Sequence, residues 1–204
     1  PVTIKALQEF CGVSYPTVAA LLREMRVAER LESEGSRGVA VRPLSVDELM
    51  ELGREHSKQR QSLLFTDPTG FGSPERLLKQ LERLQKLDKL PSSILVGGVH
   101  GASWYFPELD ITSAPRLDLS VSGSALDIAK TLDAGLEIRS QAQQRVVLAV
   151  HSTFEPKWGT IADLSDLPRA NEIDCLADLI DLGYLREATE FASHIQNNQL
   201  PGPL

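Results

Sequence analysis

Few side chains in this 204-residue sequence have the type and spacing to do chemistry. His100 and His151 could serve as bases or ligands, and Ser103 and Ser152 lie close to them in sequence. A serine becomes a nucleophile only when a base is held against it by a third group, and no such partner is legible along the chain. Both histidines are therefore read as structural. Asp110 and Asp118 are the carboxylates of interest, because two closely spaced acids can hold magnesium ions on phosphates. Asp118 is followed two positions later by Ser120, and Asp110 by Thr112, so neither forms an acid-x-acid pair. Cys11 and Cys175 are too few for a metal site or a disulfide framework and read as reduced, small hydrophobes. Trp104-Tyr105-Phe106 reads as core or interface. The expectation is no catalytic residue, no metal and no cofactor.

The elements that would position these residues follow from caps and periodicity. Ser73-Pro74-Glu75 opens a helix, with Leu77, Leu78, Leu81, Leu84 and Leu87 as its inward stripe. Ile94-Leu95-Val96 is a buried strand, and Gly97-Gly98 leads into a short helix through Trp104. Arg116 to Val121 alternates as a strand, Ser124 to Leu132 is helical, and Arg145 to Val150 is a further buried strand. Helices over Glu172–Leu182 and Tyr184–Gln196, broken at Gly183, close the chain, with Leu179, Leu182, Leu185, Ala188 and Phe191 inward. Strand, glycine pair, helix, strand and closing helices predict an α/β domain with a small mixed sheet over residues 73–204.

Upstream, Ser45-Val46-Asp47-Glu48 is a capping box that starts a polar helix to about Lys58, anchored by Leu49 and Leu52. The basic run Lys58-Gln59-Arg60 reads as a solvated face, with DNA contact as the alternative. Thr66 to Gly72 is rich in turn residues, so residues 46–72 are read as a connector helix and linker. Residues 1–45 read differently. Ile4 to Phe10 is a short helix, Gly12 suits a turn, and Ser14 caps a second helix with Pro16 in its first turn. Val18, Leu21, Leu22 and Met25 make one stripe. Gly35-Ser36-Arg37-Gly38 is a hairpin tip between two strands. Helix, turn, capped helix and hairpin compose a winged helix-turn-helix. The overall class is mixed α+β.

Charge restricts the partners. The net charge is −7. Residues 1–45 carry six Lys/Arg against five Asp/Glu, whereas residues 73–204 carry twelve against eighteen. An acidic body repels phosphate, so nucleic-acid contact is expected from the first segment. There Ser14, Tyr15 and Thr17 sit at the start of the second helix, where they could donate to phosphates or base edges in a major groove. Arg23, with Arg26 beyond it, could hold the backbone, and Arg37 at the wing tip could reach a minor groove or a phosphate. No apolar run is long enough for a membrane span, and Pro1 to Ala6 has no signal-peptide character. A cytoplasmic chain is expected, clipped so that the usual first helix of the fold is missing.

Gly12-Val13-Ser14-Tyr15-Pro16-Thr17-Val18 resembles the turn and recognition-helix start of many bacterial repressors. The strand–Gly97-Gly98–helix–strand order resembles the opening of the nucleotidyltransferase fold, whose active members hold magnesium on two acids of the following strand. The missing second acid implies a degenerate member. The tail from Ala170 to Phe191 resembles the closing helices of AbiEi-family antitoxins, which belong to type IV, abortive-infection toxin–antitoxin systems. That family pairs such a tail with a winged helix and a nucleotidyltransferase-like core. The resemblance implies a transcriptional regulator that binds double-stranded DNA in its own promoter. It also implies action, direct or indirect, against a toxin encoded alongside, itself a nucleotidyltransferase. A homodimer would suit repeated operator sites. Two alternatives stay open: a regulator whose α/β domain senses a ligand or dimerises, and an active magnesium-dependent nucleotidyltransferase.

Overall fold

Serine, asparagine and proline at helix starts, and glycine or turn residues after them, fix most of the helices. The computed structural model describes residues 3, 5, 8, 14–27, 31–32, 40–90, 94–142, 144–153 and 167–198. The chain divides into two units, the larger being Ser45–Asn198.

In the smaller unit, α1 spans Tyr15–Val27. The Ser14 carbonyl accepts the first helical bond, from the Val18 N–H at 3.1 Å. Pro16 falls in the first turn, where a missing N–H costs nothing. Val18 and Leu22 are buried, but Leu21 is 54% exposed, so the inward stripe is narrower than its spacing predicts. Strands β1 (Leu31–Glu32) and β2 (Ala40–Val41) pair antiparallel. The predicted hairpin tip, with Arg37, lies outside the described residues, as does most of the predicted helix from Ile4 to Phe10.

The larger unit begins with α2 (Val46–Gln59), and both bonds of its capping box at Ser45 and Glu48 are formed. Leu49 and Met50 are buried, whereas Leu52, expected as an anchor, is 42% exposed. Strand β3 (Ser62–Thr66) follows at once. Here the sequence reading needs correction. Residues 46–72 are no linker, because β3 lies inside the main sheet and belongs with everything up to Asn198. Next come α3 (Pro74–Lys86), β4 (Ile94–Val96), α4 (Gly98–Tyr105) and β5 (Leu117–Val121). Then α5 (Ala125–Leu132), β6 (Glu137–Ile138), β7 (Val146–Ser152), α6 (Glu172–Asp181) and α7 (Leu185–Asn198) complete the unit. The described residues thus form seven helices in a mixed α+β arrangement, and no helix among them is long and apolar enough to cross a membrane.

The five-stranded sheet has the order β4-β5-β7-β3-β6. Only the β5–β7 pair is parallel; the other three are antiparallel. Strand alternation separates two faces. Leu117, Leu119 and Val121 of β5 join Leu148 and Val150 of β7 and Phe65 of β3 in an apolar cluster with Leu77 and Leu81 of α3 and Ile128 of α5. Each such fully buried side chain contributes about 1.5–3 kcal/mol relative to exposure. The opposite face presents Asp118, Ser120 and His151, all buried. Of the predicted α3 stripe, Leu77 and Leu81 reach the core, Leu78 and Leu84 are half-buried, and Leu87, at the helix end, is 50% exposed. Leu185 is likewise exposed rather than inward, since it opens α7 after the left-handed Gly183.

Candidate functional site

The glycine turn after β4 is the centre of the polar face. Gly97 caps α4, and its N–H donates to the Asp118 carbonyl at 2.9 Å. Gly98 has φ +58°, and a Cβ there would stand 2.4 Å from Asp118 Oδ2. Only glycine lets the turn pass so close to the carboxylate. The Gly98 N–H donates to Asp178 Oδ2 at 2.6 Å, so a carboxylate from α6 sits at the start of α4, where a helix favours negative charge.

From there a chain of ionic contacts crosses the face. Arg116 Nε donates to Asp118 Oδ1 at 2.8 Å. His151 Nε2 lies 3.3 Å from Asp118 Oδ1 and 3.2 Å from Asp178 Oδ1. Its Nδ1 is 2.7 Å from the Ser62 hydroxyl. Arg60 Nη1 meets Asp178 Oδ1 at 2.5 Å, an ion pair without the alignment of a directed hydrogen bond, and Arg60 Nη2 donates to Asp181 Oδ2 at 2.6 Å. Two further contacts fasten the end of α2 to α6: His56 Nε2 with Asp174 Oδ1 at 2.5 Å, and Ser57 with Asp181. The side chains of Asp118 and Asp178 have no exposed surface.

Burial of this kind is costly unless charges balance. Three carboxylates, Asp118, Asp178 and Asp181, face two guanidinium groups and one imidazole. A protonated His151 makes the set neutral. Burial pulls the His151 pKa down, but hydrogen bonds to Asp118 and Asp178 outweigh it and hold the value above the usual 6.5. Burial raises the Asp178 pKa, yet the bonds and charge of His151, with Arg60 and the Gly98 N–H, bring it below the ordinary carboxylate value. Asp118 moves the other way: burial and the charge of Asp178 raise it more than His151 and Arg116 lower it.

The sign for His151 sets a pH dependence. A folded pKa above the unfolded one contributes stability that is fully present below the unfolded value and is lost as pH rises through the folded one. Unfolding free energy, followed by urea titration from about pH 6 to pH 9, is expected to fall through this contribution. His151→Gln is expected to flatten that fall. An unchanged slope in the variant would remove His151 as its source.

The nitrogen and oxygen atoms of Asp118, His151 and Asp178 lie within 4.8 Å of one another, a donor set that zinc could accept. The arrangement does not fit an ion. The Oδ1 atoms of both aspartates, which face the imidazole, already hold Arg60 and Arg116, and two more positive charges would unbalance a neutral set.

Several sequence readings change at this point. Arg60 is no solvated or DNA-facing residue: its side chain is 5% exposed, because the turn after α2 points it at α6. His151, read as structural, sits at the centre of this buried network, and its hydroxyl partner is Ser62, which the sequence reading did not single out. Asp118 does have an acidic companion, but it comes from α6 instead of two positions along β5. Trp104 is 48% exposed, so it is not core. Asp110 is exposed and paired with Arg186. His100 lies apart from the network's hydrogen bonds, its Nε2 buried without a partner and its pKa pulled down by burial. Cys175 is buried and free, its thiol pKa pushed well up by burial, while Cys11 lies outside the described residues.

The predicted DNA contacts on α1 are spread around the helix rather than gathered on one face. Ser14, Tyr15, Thr17 and Arg23 are all exposed, and the Ser14 and Thr17 hydroxyls are 2.9 Å apart. Val18 and Leu22 are the buried positions of the helix, and Ser14 and Tyr15 flank them at spacings of four and seven residues. Arg26 is exposed one turn beyond. No protein-family model matches the chain, and neither the curated proteins nor the solved structures contain a match to it.

Proposed function

We propose that the protein is a DNA-binding transcriptional regulator, and that its specific role is that of an AbiEi-type antitoxin and autorepressor. The observation that carries the reading is α1. Its first turn offers three polar side chains and its third turn an arginine to solvent, while Val18 and Leu22 are buried, and a helix that reads DNA places its N-terminal residues in a major groove. The β1–β2 pair after it supplies the root of a wing, and Arg37 falls at its tip in sequence.

The larger unit supports a non-catalytic, nucleotidyltransferase-like part. The start of α4, where a transferase would cradle phosphate, is occupied by Asp178, and Asp118 is sealed against Gly98 and Arg116. A carboxylate without solvent access cannot present a metal-bound nucleotide. The neighbouring toxin would be opposed either through direct contact or through repression.

A salt titration of binding to the protein's own upstream duplex, against scrambled duplex of equal length, tests the DNA reading. Preference for the native sequence is expected, with Thr17→Ala relaxing that preference. Arg23→Ala and Arg37→Ala should each weaken binding to both duplexes alike and reduce the salt slope by about one ion. Equal, weak binding to the two duplexes would sink the proposal and leave α1 as a protein-contact helix. Growth rescue on co-expression with the adjacent gene product tests the antitoxin role separately.

A further inference from the structure

The apolar face of the sheet, away from the buried ions, is covered by α3 and α5, and a hollow of about 700 Å³ opens between them. That volume lies within the range of small-molecule sites. Its α3 wall carries Arg76, Lys79 and Arg83, spaced by three and four residues and so on one side of the helix. Lys86 continues the row one turn on, beside a shallower hollow that Lys79 and Arg83 also line. Such a row is unexpected on a body that carries a surplus of acid.

The carboxylates nearby are largely committed elsewhere. Glu75 is turned to the helix start: hydrogen bonds from its own backbone and from Ser73 hold its pKa below the ordinary value. Asp133, beyond the end of α5, pairs with Arg76 at 3.4 Å and accepts from the Gly135 N–H. Glu82 lines only the shallower hollow. Among the described residues, no ion pair engages Lys79 or Arg83. Two uncommitted cations one turn apart, roughly 5–6 Å between Cβ atoms, can close their long stems on two linked phosphate groups. Arginine grips one bidentately and lysine adds a point charge. Gln80 supplies a neutral hydrogen-bonding group in the same hollow, and Leu132 an apolar wall.

We infer that the α3–α5 hollow is a binding site for an organic diphosphate of nucleotide size, held by Lys79 and Arg83. The site is separate from both α1 and the glycine turn, and it stands whether or not α1 binds DNA. It would make the larger unit a ligand-reading one.

Calorimetric titration of the full chain with ADP, inorganic pyrophosphate and adenosine tests this, at about 0.1 M salt to screen diffuse attraction. ADP and pyrophosphate are expected to saturate one site, and adenosine to give no comparable binding. Lys79→Gln and Arg83→Gln should each weaken ADP by about tenfold, the loss of one charge-assisted bond. Both side chains are exposed, so neither change threatens folding. Lys89→Gln, outside the hollow, should leave the affinity unchanged. Absence of saturable ADP binding overturns the proposal. So does equal weakening by Lys89→Gln, which would mean diffuse charge attraction. Binding of duplex DNA through Lys79 and Arg83 without ADP binding would also overturn it, and would assign the row to a nucleic-acid backbone.

Discussion

Asp178→Ala is expected to lower the unfolding free energy of the larger unit by about 3–5 kcal/mol. The carboxylate has no exposed surface and faces Arg60, His151 and the Gly98 N–H at once. Its removal leaves the Arg60 side chain, 5% exposed, with only Asp181 at the solvent edge as counter-charge. It also leaves a backbone donor and an imidazole short of an acceptor. The cost is that of uncompensated buried charge, which exceeds the net worth of the pair when intact. Urea unfolding of the variant checks this. Asp110→Ala supplies the contrast: its ion pair with Arg186 is exposed at both ends, and its removal is expected to change little. A loss below about 1 kcal/mol for Asp178→Ala would show that the carboxylate is not the ionised partner of Arg60.

Gly98→Ala is expected to be the most damaging substitution among the three described glycines of positive φ. A left-handed backbone costs a residue with a Cβ roughly 1–2 kcal/mol. That cost alone applies equally to Gly70 and Gly183, which have φ +74° and +79° and open space where a Cβ would go. At Gly98 the added carbon also meets Asp118 Oδ2 at 2.4 Å and Asp118 Cβ at 2.9 Å. Asp118 cannot yield, because Arg116 and His151 hold its other oxygen and its strand is paired on both sides, with β4 and β7. The destabilisation by Gly98→Ala in excess of Gly70→Ala or Gly183→Ala therefore measures how rigidly the carboxylate is held. Equal thermal shifts for the three variants would mean that Asp118 moves freely.

What the sequence disclosed and what it withheld divide along physical lines. Helix starts were legible because capping is local: Ser45, Ser73, Ser124 and Asn171 each accept from a backbone N–H three residues on. The buried strands around Leu95 and Val147 were legible from apolar runs, and the one around Leu119 from alternation. Strand β3 was not recognised, although Leu63-Leu64-Phe65 is such a run, because Asp67-Pro68 and the glycines after it drew the segment into a loop. The network was hidden for a different reason. Its members come from a helix end, three strands, a glycine turn and a late helix, and no local pattern links them. One signal was present. Asp178 stands among Cys175, Leu176, Ala177 and Leu179, all fully buried, so an acid on the inward side of an apolar helix was visible before any fold was known. Arg60 carried no comparable mark; next to Lys58 it reads as surface.

The 80 residues between Gly98 and Asp178 also give the larger unit a direction in time. As the chain is synthesised, Arg60, Arg116 and His151 all emerge before α6. Until then the polar face of the sheet holds an excess of cation, and the amide of Gly98 has no carboxylate to meet. The sheet can pair its strands early, but its charges are balanced only by a helix made near the end. A nascent chain halted short of α6 therefore carries every strand of the sheet and still lacks the counter-charge that lets their polar face leave water.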